Sequence, residues 1–277
     1  MARSHKSDRD NIKSFDSLEE FHAYCETVPL RYSQHLQEFF RMQRWDSCMR
    51  DLQNGNLASV DAAQSLIDKM ADENIFSEGA TELSTSLAGF MPCVPNAISG
   101  QPNDMFTFVP NEDVTLTSPL RIYFETTVPQ TISERELTNR GIAILCFALA
   151  MSRMRTVEVH ALSISASGNA GHAYGVAVRL PTTPIDLARV AWVMTSQGYA
   201  RNLGFSCVKH LQNDGRGSGL SLAWCNAGNR DRELSIRDTF NLEETDVVII
   251  RESEDQRLMC SNPIQWVKNM LAKHHTI

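Results

Sequence analysis

The sequence lacks the cysteine spacings that build metal sites and disulfide frameworks. Seven cysteines are scattered through 277 residues, with no Cys-x-x-Cys pair and no histidine at the spacing of a zinc site. An odd number of cysteines also argues against a complete set of disulfides. We therefore predict a reduced, intracellular protein in which Cys146, within an apolar stretch, is a small buried hydrophobic residue.

The sequence also lacks a long apolar run and a positive net charge. No stretch approaches the roughly 20 apolar residues of a membrane-spanning helix, and the first residues are polar, unlike those of a signal peptide. The formal net charge is −7, whereas domains that bind duplex DNA without sequence preference are usually basic. These two absences predict a soluble, cytoplasmic protein without membrane contact.

Complete catalytic and phosphate-binding motifs are missing as well. The glycine-rich stretch 214–219 is not followed by Lys-Ser or Lys-Thr, so it does not match a P-loop, and it does not complete Gly-x-Gly-x-x-Gly before a helix. His172 could act as an acid or base, but no second catalytic group is tied to it by spacing. The sequence therefore favours a non-catalytic protein over an enzyme.

The clearest feature that is present is a strand–helix–strand unit between residues 120 and 164. Apolar and aromatic residues predict a buried strand at each end of this unit. Ser133 and Glu136 have the spacing of a capping box at the start of a helix that we predict over about 134–155. The succession predicts a parallel βαβ unit, and we expect Gly141 to mark a close approach of the helix to the sheet.

The chain as a whole divides into three predicted parts. Residues 1–16 contain few apolar residues and predict a flexible tail. Residues 17–110 begin as helices and continue as a segment rich in proline and glycine, which we expect to wrap over the core as a loop. Residues 111–277 alternate strands and helices. We predict an α/β fold with a mainly parallel, Rossmann-like sheet flanked by helices and an N-terminal helical extension.

Four segments carry a resemblance to a known family. They are Ala-Gly-Phe-Met-Pro at 88–92, Gly-Gln-Pro at 100–102, Asn-Arg-Gly-Ile-Ala-Ile-Leu at 139–145 and Pro-Ile-Asp-Leu-Ala-Arg at 184–189. From about Arg44 to its end, the chain resembles an uncharacterised family of tailed-bacteriophage proteins, which looks like a divergent von Willebrand factor A type domain. The resemblance implies a phage protein in the cytoplasm of the infected host cell, but it supplies no established activity.

The resemblance also implies a degenerate metal-ion adhesion site. Domains of this type that bind magnesium or manganese carry Asp-x-Ser-x-Ser after the first strand, and this chain has Glu-Thr-Thr-Val-Pro at 125–129. Glu125 would replace the Asp and Thr127 the first Ser, whereas Pro129 offers no side-chain oxygen. We expect no resident cofactor, with magnesium or manganese at Glu125 and Thr127 as the alternative. In the plainer interpretation these two residues only hydrogen-bond the loop.

Three classes of function remain open. We favour a non-catalytic adaptor that binds a phage or host protein through the C-terminal edge of the sheet and the wrapping segment. The second class is a transcription or replication accessory that binds single-stranded DNA through Arg201, Lys209 and Arg216, although these cations could equally form a solvated surface. The third is a metal-dependent enzyme at Glu125 and Thr127. The oligomeric state is not predicted.

Overall fold

A computed structural model describes the chain at residues 12–29, 43–73, 81–87, 91–92, 94–110, 119–126, 132–152, 154–166, 173–182, 185–212, 229–250 and 254–274. Its strands are β1 (Ile12–Phe15), β2 (Thr81–Ser86), β3 (Met91–Pro92), β4 (Met105–Pro110), β5 (Leu120–Glu125), β6 (Val157–Ala166), β7 (Ala173–Arg179) and β8 (Val247–Ile249). Its α-helices are α1 (Leu18–Thr27), α2 (Trp45–Asn54), α3 (Leu57–Asp72), α4 (Val94–Ile98), α5 (Glu134–Ser152), α6 (Leu187–Thr195), α7 (Phe205–Gln212), α8 (Asn229–Phe240), α9 (Glu254–Ser261) and α10 (Pro263–His274), and a π-helix spans Gly198–Gly204.

The main sheet has five strands in the order β1-β7-β6-β5-β8. β5 is parallel to both of its neighbours, β6 and β8, while β7 is antiparallel to β6 and parallel to β1. The register pairs Leu120 with Val157 and Phe124 with Ala161 across β5 and β6. With α5 between these two strands, the predicted parallel βαβ unit and the α/β class are confirmed.

The start of α5 forms the predicted capping box. The backbone N–H of Glu136 donates to Ser133 Oγ at 3.2 Å, and the backbone N–H of Ser133 donates to Glu136 Oε2 at 2.9 Å. These bonds satisfy donors that would otherwise lack partners in the first turn. Beyond them the helix is almost wholly buried, because it packs against α6, α9 and α10 as well as the sheet.

Gly141 marks a close approach between two helices. A Cβ added to Gly141 would contact the backbone carbonyl of Met194 and the side chain of Thr195, both in α6. The prediction that Gly141 faces the sheet is therefore wrong. A glycine within a helix allows a neighbouring element to pack closely, but the sequence does not show whether that element is a strand or another helix.

The predicted flexible tail needs correction at residues 12–15. These residues form β1, which pairs Ile12 with Gly175 and Phe15 with Val178 at the edge of the main sheet. Phe15 also lies against Phe21 of α1, with 5.4 Å between ring centroids. The local composition is polar, so the strand depends on a partner that is distant in sequence and invisible to a local pattern.

The predicted wrapping loop also needs correction. Within residues 81–110, β2, β4 and β3 form a separate antiparallel sheet in that order, and the short helix α4 follows β3. The register places Ser86 of β2 and Pro92 of β3 on either side of Met105 in β4. The prolines at strand ends obscured this sheet in the sequence, because proline is a general signal of turns and strand edges.

Candidate functional site

The predicted site residue Glu125 lies where β5 and β6 end. Glu125 is the last residue of β5, Thr126 follows it, and Ser163 lies beside them on β6. Arg140 reaches the same place from α5, and the π-helix packs there through Gly204. Parallel strands of α/β proteins commonly place ligands at this edge. We call the group Glu125, Thr126, Arg140 and Ser163 the β5–β6 edge.

Two hydroxyl groups at the β5–β6 edge bond to each other. Thr126 Oγ1 donates to the carbonyl oxygen of Leu162 at 2.9 Å and lies 2.8 Å from Ser163 Oγ. Because the single hydroxyl hydrogen of Thr126 goes to Leu162, the Ser163 hydroxyl must donate to Thr126. Both hydroxyl hydrogens are therefore used within the protein, and this pair holds the strand ends together without offering a donor to a ligand.

Arg140 is a buried cation whose guanidinium is only partly satisfied. Its side chain is 1% exposed, and Nη2 donates to the backbone carbonyl of Glu125 at 2.7 Å. Nε and Nη1 have no hydrogen-bond partner among the described residues. Burial lowers the pKa of Arg140, and the nearby charges of Glu125 and Cys260 raise it. The sequence alone gives Arg140 no role, although an arginine directly before the apolar stretch of α5 is a usable signal.

Arg201 bonds the end of the connection that leads from β5 to α5. From the π-helix, its Nη1 donates to Gln197 Oε1 at 2.9 Å and its Nη2 donates to the carbonyl oxygen of Ile132 at 3.3 Å. Burial lowers the pKa of Arg201. Arg140 donates to the carbonyl of Glu125, which precedes this connection. Arg201 donates to the carbonyl of Ile132, which lies near the end of the connection. Glu125 and Arg201, predicted for different roles, thus lie at opposite ends of one connection.

The Glu125 carboxylate is fully buried and takes part in a further interaction. The guanidinium of Arg140 lies close enough to interact with it electrostatically, and a fixed positive charge opposes a divalent cation at this place. No group of three or more histidine, cysteine or acidic residues could hold a metal in the described part of the chain. Among the described residues Glu125 beside the Arg140 guanidinium offers too few oxygen ligands for magnesium or manganese, and Thr127 lies outside the described residues. Metal binding at Glu125 and Thr127 remains a prediction.

Lys209 differs from the solvated cation that the nucleic-acid prediction requires. It lies on α7 and is 4% exposed, and burial lowers its pKa. Phosphate contacts need cations at the surface, so Lys209 in this position is unsuited to that role. Arg216 and His172 lie outside the described residues. The prediction of single-stranded DNA binding remains a prediction.

The described cysteines are buried or half-buried thiols without disulfides. Cys25 Sγ and Cys207 Sγ lie 3.5 Å apart in the interior, and burial raises the pKa of Cys25. Burial also raises the pKa of Cys48 to about 12 and that of Cys146 to about 12. Because the thiolate is the reactive form, these thiols are poor nucleophiles. The prediction that Cys146 is a buried hydrophobic residue is confirmed.

A second polar group lies on the face of the main sheet that points away from α5. Arg179 Nη2 pairs with Glu158 Oε1 at 2.8 Å, and Arg121 Nη1 lies 3.4 Å from Glu243 Oε1. The ring of His160 stacks on Tyr123 at 4.6 Å between centroids, and burial lowers the pKa of His160 to about 4. The charges of this face are paired with each other, and His160 is neutral at pH 7. We therefore interpret the face as structural.

Replacing Glu125 with glutamine tests the metal prediction directly. Because the described residues do not fit a divalent cation, we expect millimolar magnesium or manganese to leave the melting temperature unchanged within about 1 °C, in both the native chain and Glu125→Gln. Differential scanning fluorimetry measures this, with the exposed Glu244→Gln as the matched control. A metal-dependent rise that Glu125→Gln alone abolishes would restore the metal site.

None of the described helices has both the length and the apolar character needed to cross a bilayer.

No curated protein and no solved structure matches the chain. One family model does match it, over residues 5–274, and its description is "Domain of unknown function (DUF7192)". Since this match spans nearly the whole sequence, the chain belongs to the DUF7192 family.

Proposed function

We propose that the protein is a non-catalytic protein-binding module that acts as an adaptor. The observation that carries the proposal is a group of exposed apolar side chains at one end of the small sheet. Leu87 is 75% exposed, Val94 is 59% exposed and Ile98 is 81% exposed. We call these three residues the apolar tip. They lie within the wrapping segment that the sequence predicts to contribute to partner binding.

The topology of the small sheet gathers the apolar tip. β2 and β3 both end beside Met105, so Leu87, just after β2, and Val94, just after β3, leave the sheet at the same end. Ile98 follows Val94 by four residues in α4 and therefore lies on the same side of that helix. The three residues thus lie at the same end of the small sheet.

Apolar grouping of this kind supports protein binding on energetic grounds. Single exposed apolar residues are common on protein surfaces, but grouped ones mark contact sites more often. Complete burial of such a side chain contributes roughly 1.5 to 3 kcal/mol, so three contribute about 4.5 to 9 kcal/mol before the cost of association. The complementary partner is a protein with an apolar groove.

The setting of this function is part of the proposal. We infer a bacteriophage adaptor that works in the cytoplasm of the infected host and binds a phage or host protein, and this inference depends on the sequence resemblance alone. The finer assignment of the fold, a divergent von Willebrand factor A type of Rossmann-like domain, is supported by the βαβ unit of β5, α5 and β6. The edge of that unit carries no complete catalytic set among the described residues.

A triple serine variant of the apolar tip tests the proposed function. Because serine removes most of the apolar area at Leu87, Val94 and Ile98, we expect the amount of captured partner to fall about tenfold or more. The measurement is affinity capture from phage-infected cells, with and without nuclease, read by quantitative mass spectrometry. The control variant, Leu57→Ser with Leu234→Ser, changes exposed leucines elsewhere and should capture the partner normally.

Two results would contradict the proposal. One is equal capture by the tip variant and by the control variant, which would show that the apolar tip does not bind the partner. The other is capture that disappears with nuclease treatment, which would indicate nucleic acid as the direct ligand. Circular dichroism of both variants checks that any loss of capture is not a loss of folding.

A further inference from the structure

We propose that Cys25 and Cys207 are a redox pair, which forms a reversible disulfide when the protein meets an oxidant of the small-disulfide class such as glutathione disulfide. Their Sγ atoms lie 3.5 Å apart in the interior, although the two positions are 182 residues apart in the sequence. The bond fastens α1, near the start of the chain, to α7. This inference concerns a modification of the core and is separate from the apolar tip.

The first step of the argument is the geometry of the pair. The sulfurs of a disulfide lie about 2.05 Å apart, so these two Sγ atoms must approach each other by roughly 1.5 Å. Shared between them, the movement of each sulfur is less than about 1 Å, which small changes in two side-chain torsions supply. Both cysteines are fully buried in one core, on helices of only 10 and 8 residues. The fold therefore holds the two thiols ready for a bond.

The second step is the choice of partner among the described cysteines. Cys48 is also fully buried, but its Sγ donates to the carbonyl oxygen of Gln43 and accepts from Asn202 Nδ2, both at 3.7 Å. In the part of the chain that the structure describes, Cys25 and Cys207 are the two thiols that contact each other. An oxidised Cys25 thus has one resolving thiol beside it.

The third step is the route by which an oxidant reaches a buried thiol. Cys25 lies in the last turn of α1, and the ends of elements open at a lower free-energy cost than the centre of a core. While α1 is closed, burial raises the pKa of Cys25, so little of the reactive thiolate is present. Opening of the last turn returns the thiol to water and to an ordinary pKa. Oxidation therefore begins from the opened state.

The chemistry is a thiol–disulfide exchange in two steps. The Cys25 thiolate attacks one sulfur of glutathione disulfide, which forms a mixed disulfide and releases one glutathione thiolate. As α1 closes again, the Cys207 thiolate attacks the Cys25 sulfur and releases the second glutathione thiolate. The two protein thiols lose two electrons and two protons, and the protons pass through water to the two released thiolates. Excess reduced glutathione reverses both steps.

The test is incubation of the folded full chain with glutathione disulfide, followed by alkylation of the remaining thiols and mass spectrometry. We expect a product that has lost two free thiols and carries no added glutathione. Tryptic mapping without reductant should link peptide 14–31 to peptide 202–209, and both differ from peptide 45–50, which contains Cys48. The melting temperature should rise by roughly 4 °C or more, because the bond constrains a long loop of the unfolded chain.

Two variants are the controls for this experiment. Cys207→Ala removes the resolving thiol and should abolish both the linked peptides and the rise in melting temperature. Cys146→Ala is the matched control, since Cys146 is a fully buried thiol on α5 that is not in contact with another described cysteine. It should retain both effects, each measured against the same variant before oxidation.

Several outcomes would overturn the proposal. One is a native chain in which peptides 14–31 and 202–209 stay unlinked, and another is a link from either peptide to peptide 45–50 in their place. Linkage only after unfolding in urea would show that the folded protein does not bring the thiols together. An equal rise in melting temperature in Cys207→Ala would place the effect elsewhere. If Cys207→Ala does not fold, the peptide map of the native chain decides alone.

Discussion

Trp192→Ala is expected to lower the free energy of unfolding by about 3 to 5 kcal/mol. Trp192 is one of the largest fully buried side chains of the described residues, and its ring packs edge-on against Tyr199 at 6.1 Å between centroids. It lies on α6, which α2, α3 and α5 surround. Truncation would leave a cavity that so many fixed neighbours cannot fill. Urea denaturation followed by circular dichroism measures the loss.

The matched control for this prediction is Trp45→Ala. Trp45, the first residue of α2, is only partly buried at the margin of the same core. We therefore expect its truncation to cost about 1 to 2 kcal/mol. Equal losses in the two variants would mean that α6 is not the centre of the helical layer. A loss below about 1 kcal/mol for Trp192→Ala would contradict the packing directly.

Gly141→Val should destabilise the protein by about 3 kcal/mol or more. The expected clash is with backbone, because a Cβ at this position would contact the carbonyl of Met194. A flexible side chain could move aside, but the backbone of α6 can move only if the whole helix shifts. The measurement is the midpoint of urea denaturation. Gly141→Ala should produce a smaller loss in the same direction.

The control for Gly141→Val is Ala272→Val. Ala272 lies on the exposed face of α10, so a larger side chain there costs only helix propensity, within about 0.5 kcal/mol. If Gly141→Val is as stable as this control, the close approach of α5 to α6 is not present in solution. The two variants together separate crowding between helices from the general effect of valine in a helix.

The βαβ unit could be predicted because its signals are local. An apolar strand, the capping box of Ser133 and Glu136, and a long apolar helix each appear within a few residues of sequence. The structure places the strands at Leu120–Glu125 and Val157–Ala166 and the helix at Glu134–Ser152. The helix ends three residues before the predicted limit, which is within the usual error of element boundaries predicted from sequence.

Pairings between distant segments could not be predicted in the same way. β1 depends on β7, and β2 depends on β4, and neither pair is joined by a short turn. The polar residues Lys13 and Ser14 gave β1 the composition of a tail. A strand at a sheet edge needs few apolar residues, so its sequence shows little hydrophobic alternation. Without that alternation, nothing near β1 in the sequence indicates that it pairs with a distant strand.

The candidate site was predicted only in part. Glu125 was identified from the sequence, and the structure places it at the β5–β6 edge. Arg201 was also identified, but it bonds Ile132 at the far end of the connection that follows Glu125. Arg140 was missed because a single charged residue at the start of an apolar helix has no motif to mark it. Lys209 shows the opposite error: its charge suggested the surface, but tertiary packing buried it. Burial of a charged side chain depends on neighbours that one sequence does not display.

The pairing of β1 with β7 has a consequence for synthesis of the chain on the ribosome. β1 comprises residues 12–15, yet its partner residues 175–178 are made much later. At about 5 to 20 residues per second, this strand waits roughly 8 to 30 seconds for its partner. During that time its backbone donors and acceptors are unpaired. A short strand with a lysine and two serines nearby resists aggregation during this delay. The polar residues that gave β1 the composition of a tail thus also protect it from aggregation until β7 has been synthesised.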